Sequence, residues 1–300
     1  MKQGILVTAY KHPEWLRRVV DLLGSDFSFF IHIDRNTSSR DQERFRQLGR
    51  SHGNVIFVSN RYKVNWGGFN HLQAILLLSE RALESGMEYC HLITGQDYPV
   101  KSASYFGQDL ATENSYIEYF EIPSVYWKGG FDRMTLFHLN DVFNRRTIGG
   151  KTALIMLTAI QRLFRVERSL PENVKLYGGG TYWSLNRACL EYVVDYTKRN
   201  PSFLFHFRHT FCPEEILFQT VLLNSPFRGN LVNDNLRYIR WEKRYGSYPA
   251  ILDSSDVGSI LSSAALFARK VAYPESQELV DKIDRAVHFA GLAQFNPTHS

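Results

Sequence analysis

The chain is short of cysteine, of clustered carboxylates and of long apolar runs, and each shortage removes a class of protein. Its three cysteines, Cys90, Cys189 and Cys212, are an odd number with no short spacing, so neither a disulfide framework nor a zinc site is indicated. A reducing compartment fits. No Asp-x-Asp pair occurs anywhere, and a hard divalent cation therefore lacks its usual clustered ligands. Gly-x-Gly-x-x-Gly is missing after the first strand-like run, which disfavours a dinucleotide fold. No apolar run is long enough to cross a bilayer. Met1-Lys2-Gln3-Gly4 leads straight into a strand without the regions of a signal peptide. The expectation is a soluble, cytoplasmic protein. Dense Lys/Arg tracts, linkers, repeats and low-complexity segments are also absent, so no nucleic-acid partner is expected and one domain over 1–300 is the simplest organisation.

What is present is ample apolar material and an excess of positive charge. At 44% hydrophobic residues over 300 positions the chain can bury a large core. A formal charge of +5 and a pI near 9.0 favour anionic ligands. Aromatic residues make up 14%, which suits stacking on sugars or bases and equally suits an ordinary core.

The first third alternates strands and helices. Ile5–Ala9 reads as a buried strand, Pro13 opens a helix with Trp15, Leu16, Val19, Val20 and Leu23 at helical spacing, and Gly24 stops it. Phe27–Asp34 is a second strand, placing Asp34 at a C-terminal strand end, where an acidic side chain can accept from a ribose hydroxyl or simply cap a turn. A polar helix, a strand at Asn54–Val58, the paired Gly67-Gly68, an amphipathic helix through Leu83 and a strand at Tyr89–Thr94 follow. Asp97, on the next loop, stands alone. The fold class is α/β, with a Rossmann-like, mixed but mostly parallel sheet flanked by helices.

Ser115–Phe120 reads as a further strand carrying Glu118, and the aromatic and basic segment after it, with Trp127, Lys128 and Arg133, is a candidate acceptor wall. Lys151–Val166 is a mostly apolar helix with Arg162 and Arg165 late; it can touch a membrane surface, but packing on the domain is the favoured reading. Gly178–Leu185 reads as a glycine-opened strand and Ala188–Tyr196 as a helix. Cys212-Pro213-Glu214-Glu215 then sets two carboxylates at the start of a helix, where they complement its dipole or do chemistry. Asn235–Trp241 is a strand, Leu266–Lys270 places two cations near the end of a helix or loop, and an amphipathic helix at Ser276–Phe289 closes the pattern.

Seven stretches, in order, resemble the core-2/I-branching N-acetylglucosaminyltransferase and peptide O-xylosyltransferase family, glycosyltransferase family 14. They are Ile31–Arg35, Trp66-Gly67-Gly68, Asp97–Lys101, Gly178–Leu185, Cys212–Glu215 with its helix, Asn235–Trp241 and Leu266–Lys270. The region from Gly178 to Trp241 looks most like the xylosyltransferase branch. The resemblance implies a single GT-A-type domain, with a nucleotide-binding half over about 1–110, an acceptor-binding and catalytic half over about 111–275 and a C-terminal helix and tail over about 276–300. It further implies an inverting reaction, a UDP-sugar donor, a glycan or lipid-linked glycan acceptor, and no cofactor or divalent metal. Glu215 falls on the family's base, Lys270 on its diphosphate-binding lysine, Trp241 on its acceptor-facing tryptophan and Asp34 on its nucleoside-holding aspartate. Arg244 is the candidate for a second cation, and Tyr182, Glu118 and Arg133 are expected on the acceptor side.

Two departures shape that expectation. Three cysteines cannot form the disulfides of secretory members, and the membrane anchor is missing, so a short bacterial-type member acting in the cytoplasm, with room for contact at the inner membrane face, is expected. Gly180-Thr181-Tyr182 replaces a Ser-Asp-Trp pattern, which leaves the donor sugar open between GlcNAc and a xylose-like sugar. A carboxylate at a helix start is expected to stay ionised, as a base should. The expected activity is glycosyl transfer in surface polysaccharide synthesis; the alternative is a catalytically silent carbohydrate-binding or scaffold protein on the same fold.

Overall fold

The computed structural model describes residues 1–108 and 113–288. The expected boundary between halves, Phe289 at the end of the last expected helix, and the tail lie outside the described residues. The described strands are β1 (Gln3–Ala9), β2 (Phe27–Ile33), β3 (Val55–Ser59), β4 (Tyr89–Thr94), β5 (Asp97–Pro99), β6 (Ser115–Ile117), β7 (Phe120–Glu121), β8 (Tyr177–Gly178), β9 (Trp183–Asn186), β10 (Leu231–Val232), β11 (Arg237–Ile239) and β12 (Phe267–Arg269). The main sheet has the order β10-β6-β9-β4-β1-β2-β3. Within it β3, β2, β1 and β4 are parallel, β9 is antiparallel to both its neighbours, and β10 is parallel to β6. The α/β, mostly parallel sheet expected from the sequence is what forms.

Strand alternation explains the two-sided core. Ile5, Val7, Phe29 and Ile31 point to one face, where they meet Trp15, Leu16, Val19 and Leu23 of helix α1 (Pro13–Leu23). Leu6 and Phe30 point to the other, against Leu72, Ile75 and Leu78 of helix α3 (Phe69–Glu84) and Phe218 of the helix Leu217–Leu223. Helix α2 (Ser39–Ser51) buries only Phe45 and Leu48. Burial on both faces is why the central strands read as mostly apolar runs rather than as alternating ones.

Several boundaries move for tertiary reasons. Leu266–Lys270, expected near the end of a helix or loop, forms β12, because it is framed by β11 in parallel and β5 antiparallel. Ser115–Phe120 splits into β6 and β7, and Gly178–Leu185 into β8 and β9, as the chain leaves the main sheet to pair β7 with β8. The strand expected over Asn235–Trp241 shortens to β11. Pro213–Glu215 is a separate 3-10 turn, with Ile216 at φ −129° between it and the helix that follows.

Candidate active site

The turn bearing Glu214 and Glu215 is fixed from both ends. Cys212, at φ 49°, donates its N–H to Gly67 O at 3.1 Å, and Glu215 O accepts the Gly179 N–H at 2.9 Å. Gly67 is at φ 78°, and a Cβ there would stand 2.4 Å from the Phe211 ring, so the Trp66-Gly67-Gly68 stretch makes room for this turn. Glu214 is buried, 4% exposed, with Oε1 3.1 Å from His71 Nδ1 and Oε2 unpartnered. His71 Nε2 in turn lies 3.3 Å from Thr8 Oγ1 on β1. Glu215 points outward, its side chain 24% exposed, and Arg133 Nη1 donates to its Oε2 at 2.7 Å.

Burial, with the Glu214 carboxylate second, pushes Glu215 from 4.5 up to about 7, against the opposing pull of Arg133 and His71. This corrects the expectation of a firmly ionised helix-start carboxylate. A short 3-10 turn supplies little dipole, and solvent exclusion beside a second carboxylate outweighs it. Arg133, expected on the acceptor side, is placed on Glu215 itself, with its guanidinium 3.5 Å over the Trp127 ring. Cys212 Sγ, Glu214 and Glu215 present ligand atoms within 4.8 Å of one another. As a metal site the set is poorly matched: burial holds the Cys212 thiol well above its usual pKa and Arg133 already occupies Glu215.

The second group of charges is cationic. Lys270, half-buried, donates to Ser247 Oγ at 3.2 Å, and burial together with Arg269, Arg146 and Lys11 lowers its pKa to about 8. Arg269 is committed elsewhere: its Nη1 meets Asp97 Oδ1 and Oδ2 at 3.0 and 2.9 Å, while Asp97 Oδ2 also accepts from Thr94 N and Oγ1 at 2.7 Å each. Asp97 therefore serves an internal ion pair. Arg244 sits on the turn that shares Ser247 with Lys270, but its guanidinium faces away into Asp253, Asp256 and Glu242 at 2.9, 2.8 and 3.1 Å. The expected second cation is thus already neutralised, and the cations whose charge acts on Lys270 are Arg269, Arg146 and Lys11.

Tyr182 joins the two groups. Arg269 Cζ stands 4.2 Å over its ring, and burial raises its phenol pKa, with Arg269, Asp97, Arg237 and Glu215 as its charged neighbours. Glu118 accepts from Asn235 Nδ2 at 2.9 Å and is raised by burial. A Cβ at Gly180 would lie 2.7 Å from Glu118 Oε2, so glycine at this position leaves that carboxylate its space. Trp241, past the end of β11, is 64% exposed with its ring 5.9 Å from Tyr248. Asp34 Oδ1 accepts from Asn36 N at 2.9 Å and Val64 N at 3.2 Å, and its Oδ2 has no protein partner among the described residues. Asp34 and Lys11 follow the C-terminal ends of β2 and β1, the side on which open α/β sheets hold ligands.

His71, Lys11 and Arg146 escaped the sequence reading. Lys11 had a usable signal, since it lies two residues past the first strand, whereas His71 looks like any polar position of an amphipathic helix.

Rat xylosyltransferase 1 is 25% identical over 282 residues, covering 86% of this chain and 32% of that protein. Human xylosyltransferase 1 is 26% identical over 284 residues, covering 86% and 27%. The chain thus spans about a third or less of the length of the relatives it matches. A solved structure of mouse xyloside xylosyltransferase 1 in its apo form aligns at a TM-score of 0.36 and 14% identity, covering 89% of this chain and 97% of that one. The family model described as Core-2/I-Branching enzyme matches residues 6–260, and the chain belongs to that family.

Proposed function

We propose that the protein is an inverting glycosyltransferase that moves GlcNAc or a xylose-like sugar from a UDP-sugar to a hydroxyl of a glycan, free or lipid-linked, in surface polysaccharide synthesis. One observation carries the reading: Glu215, a partly exposed carboxylate raised to about 7, and Arg269, whose guanidinium stands 4.2 Å over the Tyr182 ring and which directly precedes Lys270, are both charged neighbours of Tyr182. In the step this supports, the acceptor hydroxyl loses its proton to Glu215 as its oxygen bonds to the anomeric carbon. The bond from that carbon to the diphosphate oxygen breaks on the opposite face, and UDP leaves with the electron pair. Lys270, with Lys11 and Arg146, meets the growing negative charge. Asp34 Oδ2 is free to accept from a ribose hydroxyl. The internal Asp97–Arg269 pair and the cations at Lys270 support chemistry without a divalent metal.

The test is UDP release from UDP-GlcNAc and UDP-xylose, with and without glycan acceptors, in excess EDTA and with added manganese. Acceptor-dependent release that survives EDTA, with a β-linked product by NMR, is the expected result. Release abolished by EDTA and restored by manganese would move the chemistry to a metal, with Cys212, Glu214 and Glu215 as its first candidates. No release from any donor would leave the silent carbohydrate-binding protein.

A further inference from the structure

The helix Ile148–Leu163 turns its apolar side chains the wrong way for a domain-packed helix. The sequence favours packing on the domain, yet the residues this helix buries are Leu154 and Gln161 alone. Ile148, Ile155, Met156, Ile160 and Leu163 are all at least half exposed, Ile148 at 89%. At roughly 100° per residue these five fall in an arc of about 140°, opposite Leu154 and Gln161. Phe164, 71% exposed, prolongs the face at its C-terminal end, and Val142 and Phe143 flank its start.

Charge decides what covers it. From Val142 to Val166 there is no Asp or Glu, while Arg145, Arg146, Lys151, Arg162 and Arg165 all fall in that span. Lys151 and Arg162 lie along one border of the apolar arc by the same helical count. An apolar stripe edged by cations is the pattern of a helix lying in the interface of an anionic bilayer, with its apolar side chains among the acyl chains and its cations at the headgroups. No described helix is long and apolar enough to cross a membrane, which leaves the in-plane arrangement.

We infer that Ile148–Leu163 docks this protein on an anionic lipid surface. The helix is tied to the candidate site: Gln161 accepts the Phe137 N–H at 2.7 Å, and Arg162 pairs with Asp132, next to the Arg133 that holds Glu215. Docking thereby sets the mouth of the site at the headgroup level, in reach of an acceptor carried on lipid. The docking itself does not depend on the reaction proposed above; only the reach to a lipid-carried acceptor rests on that reading.

The experiment is flotation of the full chain with vesicles of phosphatidylcholine alone or with 30% phosphatidylglycerol, at about 0.05 M and about 0.15 M salt, where screening shortens the reach of the cations. Wild type is expected to float with anionic vesicles at least tenfold better than with neutral ones, more weakly at the higher salt. Met156→Glu with Leu163→Glu should lose that binding tenfold or more at an unchanged melting temperature. Ile155→Trp, which keeps the face apolar, is the second arm and does not rely on a disrupted face: its fluorescence should shift to the blue on anionic vesicles and be quenched by brominated acyl chains. Absence of flotation with anionic vesicles, or an Ile155→Trp signal that lipid leaves unchanged, overturns the inference. So does a concentration-dependent dimer in light scattering that the double substitution dissociates, since the face would then belong to a second copy.

Discussion

Two groups of side chains in this molecule crowd like charges together, and they do so with opposite sign. Around Glu215 a second carboxylate and solvent exclusion raise the acid to about 7; around Lys270 solvent exclusion and three cations lower the amine to about 8. Each group partly offsets its crowding, with Arg133 and His71 in the first and Asp97 in the second. The difference lies in what each is ready to receive. The carboxylate cluster gains by taking up a proton, whereas the cationic one gains by taking up an anion. The transfer proposed above, which releases one proton and one diphosphate, would use both.

The strongest way to break this contrast is Glu215→Gln, nearly isosteric but unable to accept the proton. Turnover should fall by roughly 10²–10⁴-fold while calorimetric UDP affinity holds. Glu214→Gln should cost far less, and the reverse pattern would exchange the two roles. Lys270→Ala comes next, with an expected loss of about 10²–10³ in kcat and a smaller change in donor binding, because its partner charge grows as the bond to UDP breaks. A loss confined to donor binding would make Lys270 a holder of the ground state only. Asp34→Ala should weaken UDP binding by about 1–3 kcal/mol without lowering the melting temperature, and an unchanged calorimetric affinity would move the nucleoside elsewhere.

The pH dependence sharpens the contrast rather than breaking it. Rate should rise as Glu215 loses its proton near 7 and fall as Lys270 loses its charge near 8, giving a narrow bell in kcat/KM. Glu214→Gln should shift the rising limb to lower pH, and Lys11→Ala the falling limb to higher pH, since each removes a like charge; limbs that stay put would deny the crowding. Stability follows the same sign. Glu215 is raised from 4.5 in the folded state, so its contribution is full below that value and is lost as pH climbs through about 7. The melting temperature of Glu215→Gln relative to wild type should therefore improve between pH 5 and pH 8. The smallest kinetic effect belongs to Arg244→Ala. Turnover should change by less than about threefold, while the melting temperature drops because fully buried Asp256 loses a charged partner. A large turnover loss at an unchanged melting temperature would restore Arg244 to the diphosphate.

Sequence alone was a good guide wherever the signal is local. Largely apolar runs marked β1, β2 and β4, and helical spacing marked α1, because side-chain periodicity and short turns depend on neighbours a few residues away. It was a poor guide wherever the partner is remote. Arg133 reaches Glu215 across 82 positions and His71 reaches Glu214 across 143, and no spacing rule forecasts such meetings. For the same reason the sequence named Arg244 without its three carboxylates and favoured inward packing for the helix expected over Lys151–Val166. Only the packed chain decides which charges lose water and which charges they then face, and those two quantities set a site's protonation state and its free cations.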